Sequence, residues 1–168
     1  MRYILFLLPL ALLLGSCGKN DEQVLFEIPY QIDFEIPAGL NTLETHVFEI
    51  RNIPTRLDSL LSSFGIARAD IQSIEPQEAQ MDVLIDGLEY GFVRQVNVWV
   101  FDQNRQAESF FRDNVPLNTG NRLTLIPTLL SAQDYLMEDR FNLRVELQMQ
   151  DFSPQFVPTR LRFIYKVK

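Results

Sequence analysis

Residues 26–36 read FEIPYQIDFEI and alternate strictly between apolar and polar side chains. An apolar residue occupies every even position from Phe26 to Ile36, and Glu, Pro, Gln or Asp fills each position between. Because successive side chains of a β-strand point to opposite faces, this stretch predicts a strand with one buried and one solvated face. Pro29 lacks a backbone N–H, which favours an edge position or a break into two short strands.

Similar patterns recur along the chain, separated by turn residues such as Asp86-Gly87. They predict further strands over 41–51, 71–74, 79–85, 92–101, 107–111, 123–126, 141–149 and 161–167. The segment 54–64 differs, because its leucines recur at helical spacing and Gly65 suits a C-terminal stop. We predict one short amphipathic helix there and a helical turn over 131–137.

About eight strands without repeated strand–helix units predict one all-β domain over residues 24–168. The expected architecture is an antiparallel β-sandwich, immunoglobulin-like in general form, with the helix at 54–64 covering a sheet or one end of it. A small β-barrel is the alternative. The composition, 46% hydrophobic and 22% charged, is typical of a globular protein rather than a disordered one.

The charge balance is acidic, with 22 Asp and Glu against 15 Lys and Arg. A net charge of −7 opposes binding to nucleic acid or to bare anionic lipid, so we expect no nucleic-acid partner. Most of the cations are Arg, which prefers planar, bidentate partners. This predicts Arg–carboxylate pairs across neighbouring strands.

The N-terminal segment contains eleven almost wholly apolar residues, Ile4 to Leu14. A run of that length suits the core of a signal peptide and is too short to span a bilayer. The stretch Leu14-Gly15-Ser16-Cys17 that follows resembles the lipobox of bacterial lipoproteins. The resemblance implies a signal peptide over 1–16, cleavage before Cys17, and acyl chains on that cysteine that anchor the protein in a membrane. The alternative is an ordinary secretory signal followed by a free thiol.

Residue 18 is Gly rather than Asp. By similarity to lipoproteins of Gram-negative bacteria, this implies the outer membrane, with periplasmic or cell-surface display left open. Residues 17–23 form the lipidated cysteine and a short linker. The six linker residues 18–23 reach roughly 20 Å when fully extended. The domain is therefore expected to lie close to the membrane.

No catalytic, metal or cofactor site is predicted. His46 is the only histidine and Cys17 the only cysteine, which disfavours zinc, copper and haem sites. The sequence has no Gly-x-Ser-x-Gly motif and no glycine-rich phosphate loop. Calcium remains an alternative in two loops, at Asp102-Gln103-Asn104 with Glu108 or at Asp134 with Glu138 and Asp139.

The strand over 92–101 carries the only tryptophan. Alternation places Val93, Gln95, Asn97, Trp99 and Phe101 on one face, and the last four are the candidate binding residues. Aromatic rings beside amides can serve as a platform for a sugar ring or for an apolar residue of a partner. The alternative is that Trp99 and Phe101 pack under the helix at 54–64 or against a loop.

These observations lead to one hypothesis and two alternatives. The hypothesis is an outer-membrane lipoprotein whose non-catalytic β-sandwich binds a protein partner in the cell envelope. The first alternative is a glycan-binding or adhesive surface module that uses the face with Trp99. The second is a hydrolase with a dispersed carboxylate pair.

Overall fold

The computed structural model describes residues 23–168; the predicted signal peptide and Cys17 lie outside this range. The described chain is all-β, with two short α-helices, α1 (Leu57–Phe64) and α2 (Gln133–Leu136), and a 3-10 turn at Arg68–Asp70. The strands are β1 (Phe26–Ile36), β2 (Thr45–Pro54), β3 (Ile74–Val83), β4 (Val93–Phe101), β5 (Gln106–Arg112), β6 (Arg122–Pro127), β7 (Arg140–Met149) and β8 (Val157–Val167).

All strand pairs are antiparallel, in the order β1-β8-β3-β6-β5-β4-β7-β2. The link between β5 and β6 is only two residue pairs long, Phe110 with Pro127 and Phe111 with Ile126. The chain therefore forms a sandwich of two four-stranded sheets that meet along one side. We call β1-β8-β3-β6 sheet 1 and β5-β4-β7-β2 sheet 2.

The core lies between the two sheets and contains a cluster of aromatic rings. Tyr30 of sheet 1 meets Phe141 of sheet 2 edge to face, with centroids 5.1 Å apart. Phe110 of sheet 2 lies 5.7 Å from Tyr165 and 6.1 Å from Phe163, both of sheet 1. These contacts across the sandwich bury the inward side chains that the alternating pattern predicts.

The immunoglobulin-like form expected from the sequence is not confirmed, because the strand order differs. An immunoglobulin sandwich pairs its first strand with its second, whereas here β1 pairs with β8 and β2 pairs with β7. The chain crosses to the other sheet after every strand except β4, which a hairpin joins to β5. This order is that of an eight-stranded jelly roll.

Most predicted elements are confirmed with shifted ends. β1 covers the predicted residues 26–36 and forms an edge of sheet 1, where Pro29 needs no second partner. The expected strand at 79–85 belongs to a longer one, β3, which starts at Ile74 and has a bulge between Pro76 and Glu78. Residues 71–73, which were expected to form a separate strand with Ile74, lie outside β3. α1 is followed by Gly65, which adopts a left-handed conformation with φ 67°. Glycine is the usual residue at such a helix end.

The antiparallel strands give the sandwich two distinct ends. At one end, which we call the base, β1 begins, β8 finishes, and α1 and α2 lie. The opposite end, which we call the tip, consists of the four loops 37–44, 84–92, 113–121 and 150–156. No helix within residues 23–168 combines the length and the apolar character needed to cross a membrane.

Candidate functional site

The predicted face around Trp99 lies on the outer surface of sheet 2. A bulge between Val93 and Gln95 shifts the alternation, so Val93 is buried in the core instead of sharing this face. Gln95, Asn97 and Trp99 are half-buried, and Phe101 is buried. Two arginines cover the Phe101 ring: the Cζ atom of Arg144 lies 4.7 Å from the ring centroid, and the Cζ atom of Arg51 lies 5.9 Å from it.

The polar groups of the Trp99 face are partly engaged with one another. Gln95 Nε2 donates to Asn97 Oδ1 at 2.9 Å, and Asn97 Nδ2 donates to a carboxylate oxygen of Glu108. The Trp99 indole N–H is buried without a hydrogen-bond partner in the described chain. A depression of about 220 Å³ adjoins this face between the β4–β5 turn and Arg144. A ligand on this face could therefore contact the Trp99 ring and the polar residues of the adjacent depression.

The single histidine has a structural contact. His46 points inward from β2 and is half-buried, and its Nε2 lies 2.8 Å from the carbonyl oxygen of Asn41. That contact fixes the ring against the start of its own strand. It places His46 away from the Trp99 face, which lies on the outer side of the same sheet.

Arg105 binds two of the five loop acids considered for calcium, Asp102 and Asp134. It contacts Asp102 at 2.9 Å and Asp134 at 3.0 Å. Backbone hydrogen bonds from Asn104 and Arg105, followed by the guanidinium of Arg105, hold the pKa of Asp102 below its ordinary value. Within residues 23–168, no three His, Cys, Asp or Glu side chains are grouped as metal ligands.

Sheet 1 carries the predicted Arg–carboxylate pairs on its outer surface. Arg160 contacts Asp33 with two hydrogen bonds of 2.7 Å. Arg162 and Arg122 both contact Asp82, at 2.6 and 2.7 Å. Partial burial acts to raise the pKa of Asp82, but the hydrogen bonds from the two arginines outweigh it and hold that pKa below its ordinary value.

A cavity of about 800 Å³ opens between sheet 1 and the end of β2. Its polar lining includes Arg56, Arg162, Gln31 and Gln80. Glu78 is the one carboxylate among its described lining residues. Glycoside hydrolysis uses two carboxylates on either side of the bond, so this cavity does not offer the pair that the hydrolase alternative needs.

The tip exposes large apolar side chains on all four of its loops. Leu43 is 92% exposed, Leu117 74% and Phe152 60%. The full set is Leu43, Leu84, Ile85, Leu117, Phe152 and Phe156. Single exposed apolar residues are ordinary, but apolar side chains repeated on neighbouring loops mark a candidate interaction surface.

Hydrogen bonds join the loops of the tip. Gln150 Nε2 lies 2.8 Å from the carbonyl oxygen of Gly91, 3.0 Å from that of Val93 and 3.1 Å from that of Val115. One side-chain amide thus links the loops 84–92, 113–121 and 150–156.

The loop 37–44 is held by Ser153. The hydroxyl of Ser153 accepts from the Leu40 N–H at 2.9 Å and donates to the Pro37 carbonyl oxygen at 2.6 Å. Ser153 is itself buried. The tip is therefore a connected surface rather than four independent loops.

The tip was not predicted from the sequence, because a periodic pattern indicates the faces of single strands and helices and not the grouping of loops. Leu117 and Phe152 lie in segments without alternation, close to Pro or Asn, whereas Leu43 lies in the segment 41–51 that was predicted to be a strand. An apolar residue in such a segment has no strand or helix face to bury it. Such residues were the signal in the sequence for an exposed apolar surface. The sequence alone does not show that these loops lie at the same end of the sandwich.

No protein-family model matches the chain, and the search of curated proteins gave no match. Among solved structures, the chain is similar to the decameric BFDV capsid protein at 11% identity and a TM-score of 0.36, covering 85% of this chain and 98% of that one. It is also similar to Desmodium yellow mottle tymovirus at 15% identity and a TM-score of 0.31, covering 85% and 86%. Both TM-scores are low, so neither likeness bears on the function of this chain.

Proposed function

We propose that this protein is a lipoprotein of the outer membrane, anchored through Cys17, whose non-catalytic β-sandwich binds a protein partner of the cell envelope at its tip. One observation carries the proposal. The exposed apolar loops lie at the end of the sandwich opposite to the strand end that leads back to Cys17. An anchor at the base would leave the tip free to bind.

The base is the end that would face the bilayer. The Leu25 N–H donates to the Val167 carbonyl oxygen at 2.7 Å, so the chain joins the base from residue 25 onward. β1 runs the whole way from base to tip, and a strand of its length spans about 35 Å. Two or more acyl chains give a stable anchor, at about 0.8 kcal/mol for each buried CH₂.

Apolar side chains at the base fit the same orientation. Leu129 is fully exposed, and Val24, Phe64 and Leu130 are also exposed there. The Phe64 ring stacks on Phe26, the first residue of β1, with centroids 5.2 Å apart. With the anchor in place, these side chains would lie next to lipid headgroups rather than in open solvent.

The anchor is tested by Cys17→Ala in the native host. We expect the variant to leave the membrane fraction, because the acylated sulfur is lost, while the unaltered protein stays there. Recovery of Cys17→Ala in the membrane fraction, at the level of the unaltered protein, would refute the lipid anchor.

The docking surface is tested by photo-cross-linking in living cells. A benzophenone amino acid is introduced at position 117 of the tip and, as a control, at position 62, which is exposed on α1 at the base. We expect a discrete cross-linked protein at 117 that is absent at 62. Identical products at both positions, or none at 117, would contradict docking at the tip.

A second candidate function, glycan binding, is favoured by the Trp99 face. Trp99 is half-buried on the outer surface of sheet 2, on the same face as amide side chains, and the 220 Å³ depression adjoins this face at Phe101 and Arg144. Trp99 is the only tryptophan, so its fluorescence reports on this face alone. A saturable change in its emission during titration with neutral and acidic oligosaccharides would support this function, and a flat titration would oppose it.

A further inference from the structure

The loops of the tip carry charge of one sign only. They contain no Lys, Arg or His, and their acidic residues are Glu44, Asp86, Glu89, Asp113 and Asp151. All five are exposed. None of them forms a salt bridge within residues 23–168, whereas Asp33 and Asp82 on sheet 1 are matched by arginines. We call these five acids the acidic rim of the tip. The cations nearest in sequence, Arg94, Arg112 and Arg122, lie at the tip ends of β4, β5 and β6.

We propose that the tip binds a basic polypeptide segment that carries apolar side chains between its lysines and arginines. This inference rests on the proposed function and adds the chemistry of the partner. The apolar side chains of the segment pack on Leu117 and Phe152. Its cations lie against the acidic rim, because carboxylates that lose water on binding need a countercharge or hydrogen bonds.

Other occupants fit the tip less well. A metal ion needs several carboxylates at one point, but the five acids are spread over four loops and no three described acids are grouped as ligands. A second copy of the tip brings the same five negative charges, and like charges across an interface are repulsive. An anionic membrane surface is repelled in the same way. A flexible basic segment can distribute its cations along the rim.

The tip is also prepared for binding. The bonds of Gln150 and Ser153 hold the four loops together before a partner arrives. Gly91 packs so closely on Leu117 that a Cβ at position 91 would lie 2.1 Å from the Leu117 carbonyl oxygen. Loops that are ordered in advance lose less conformational entropy on association, which favours a short segment as ligand.

The test uses the full-length, lipidated protein in phosphatidylcholine nanodiscs and three fluorescent peptides. The first peptide consists of Lys, Phe and Gly; the second has Glu in place of Lys; the third has Ser in place of Phe. Empty nanodiscs give the background binding of each peptide. We expect the first peptide to bind more tightly than the other two, and its affinity to fall with added salt.

Two triple variants with the same change in net charge complete the design. The tip variant is Asp86→Asn/Glu89→Gln/Asp151→Asn. The control, Glu78→Gln/Glu138→Gln/Asp139→Asn, removes three exposed acids outside the tip that form no salt bridge in the described chain. Loss of three exposed charge pairs is expected to weaken binding of the first peptide about tenfold in the tip variant and less than about twofold in the control.

Three results would overturn the inference: no binding of the first peptide, equal losses in the two variants, or equal binding of the Glu peptide. Urea midpoints of both variants show whether each remains folded. Binding of the Glu peptide that is lost in Leu117→Ser would reject the basic partner but keep docking at the tip. The cross-linking at position 117 depends on none of these peptides, so it tests the proposed function separately.

Discussion

Gly91→Ala probes the contact on which the rigidity of the tip depends. A Cβ at this position would lie 2.1 Å from the carbonyl oxygen of Leu117 and 3.1 Å from its carbonyl carbon. Ordinary contacts of a Cβ begin near 3.4 Å, so the loops 84–92 and 113–121 must move apart before an alanine fits. The obstacle is backbone, which cannot move aside as the end of a flexible side chain can.

Moving these two loops apart also disturbs the side-chain amide of Gln150, which bonds to both of them. Gln150 Nε2 lies 2.8 Å from the Gly91 carbonyl oxygen and 3.1 Å from that of Val115, so the two loops cannot part without lengthening one of these bonds. Overpacking of this kind costs about 1–3 kcal/mol of unfolding free energy. For a domain of this size, that corresponds to a fall in Tm of roughly 2–12 °C.

The assay is equilibrium unfolding in urea followed by the fluorescence of Trp99. Gly120→Ala is the matched control, because Gly120 lies in one of the same two loops and an added Cβ there meets no atom within 4 Å. We expect the control to stay within about 0.5 kcal/mol of the unaltered protein. Equal stability of Gly91→Ala and Gly120→Ala would refute the close contact and, with it, the argument that the tip is ordered before binding.

Further variants probe the core and the surface of sheet 1. Tyr165→Phe removes a buried hydroxyl that donates to Ser109 Oγ at 2.8 Å. We expect it to lower the unfolding free energy by about 1–2 kcal/mol, measured in a thermal melt. Adding Ser109→Ala should recover part of that loss, because no buried hydroxyl is then left without its partner; a double variant no more stable than Tyr165→Phe would contradict this. Asp82→Asn should destabilise the protein by about 1 kcal/mol at neutral pH, since both arginines lose a charged acceptor. The pKa of Asp82 is lower in the folded protein than its ordinary value of 3.8. The ionised carboxylate therefore stabilises the fold fully at pH values above 3.8, and this stabilisation is lost as the pH falls through the lower pKa of the folded state. The stabilities of Asp82→Asn and the unaltered protein should therefore converge as the pH falls below 3.8. A stability difference that stays constant down to low pH would show that the ion pairs of Asp82 do not cause it.

The orientation that we propose gives the two ends of the sandwich different roles. The base has mixed charge, with Arg68 on Asp58 and Arg105 on Asp102, so several of its acids are neutralised within the domain. The acids of the tip have no such partners in the described chain. A surface that exposes both apolar side chains and unpaired charges can bind a partner of complementary shape and opposite charge.

Much of the secondary structure could be predicted from the sequence. The alternation over 26–36 matches β1 at both ends, and that over 141–149 matches β7 to within one residue. The bulges were not predicted, because the pattern of single residues does not reveal an extra residue. At Val93 the bulge moved a side chain from the expected outer face into the core.

The candidate sites were harder to predict. Sequence reasoning placed Gln95, Asn97 and Trp99 together on one face, because position along one strand fixes it, and all three are half-buried residues of β4. That this face binds a ligand stays a prediction. Sequence reasoning did not foresee that arginines from two other strands would cover Phe101. It also missed the tip, whose apolar residues are spread along the chain from Leu43 to Phe156.

The all-β class, the inward and outward faces of the strands, the acidic charge and the resemblance of the first residues to a lipoprotein signal could all be read from the amino-acid sequence. These properties follow from local spacing and composition, which act between near neighbours in the chain. The pairing of β1 with β8 and of β2 with β7, and the gathering of four distant loops into one acidic, apolar tip, emerge only in the folded molecule. Alternation fixes the face of a strand but not its partner, because every strand here presents an apolar face of much the same kind, and the choice depends on packing across the whole sandwich.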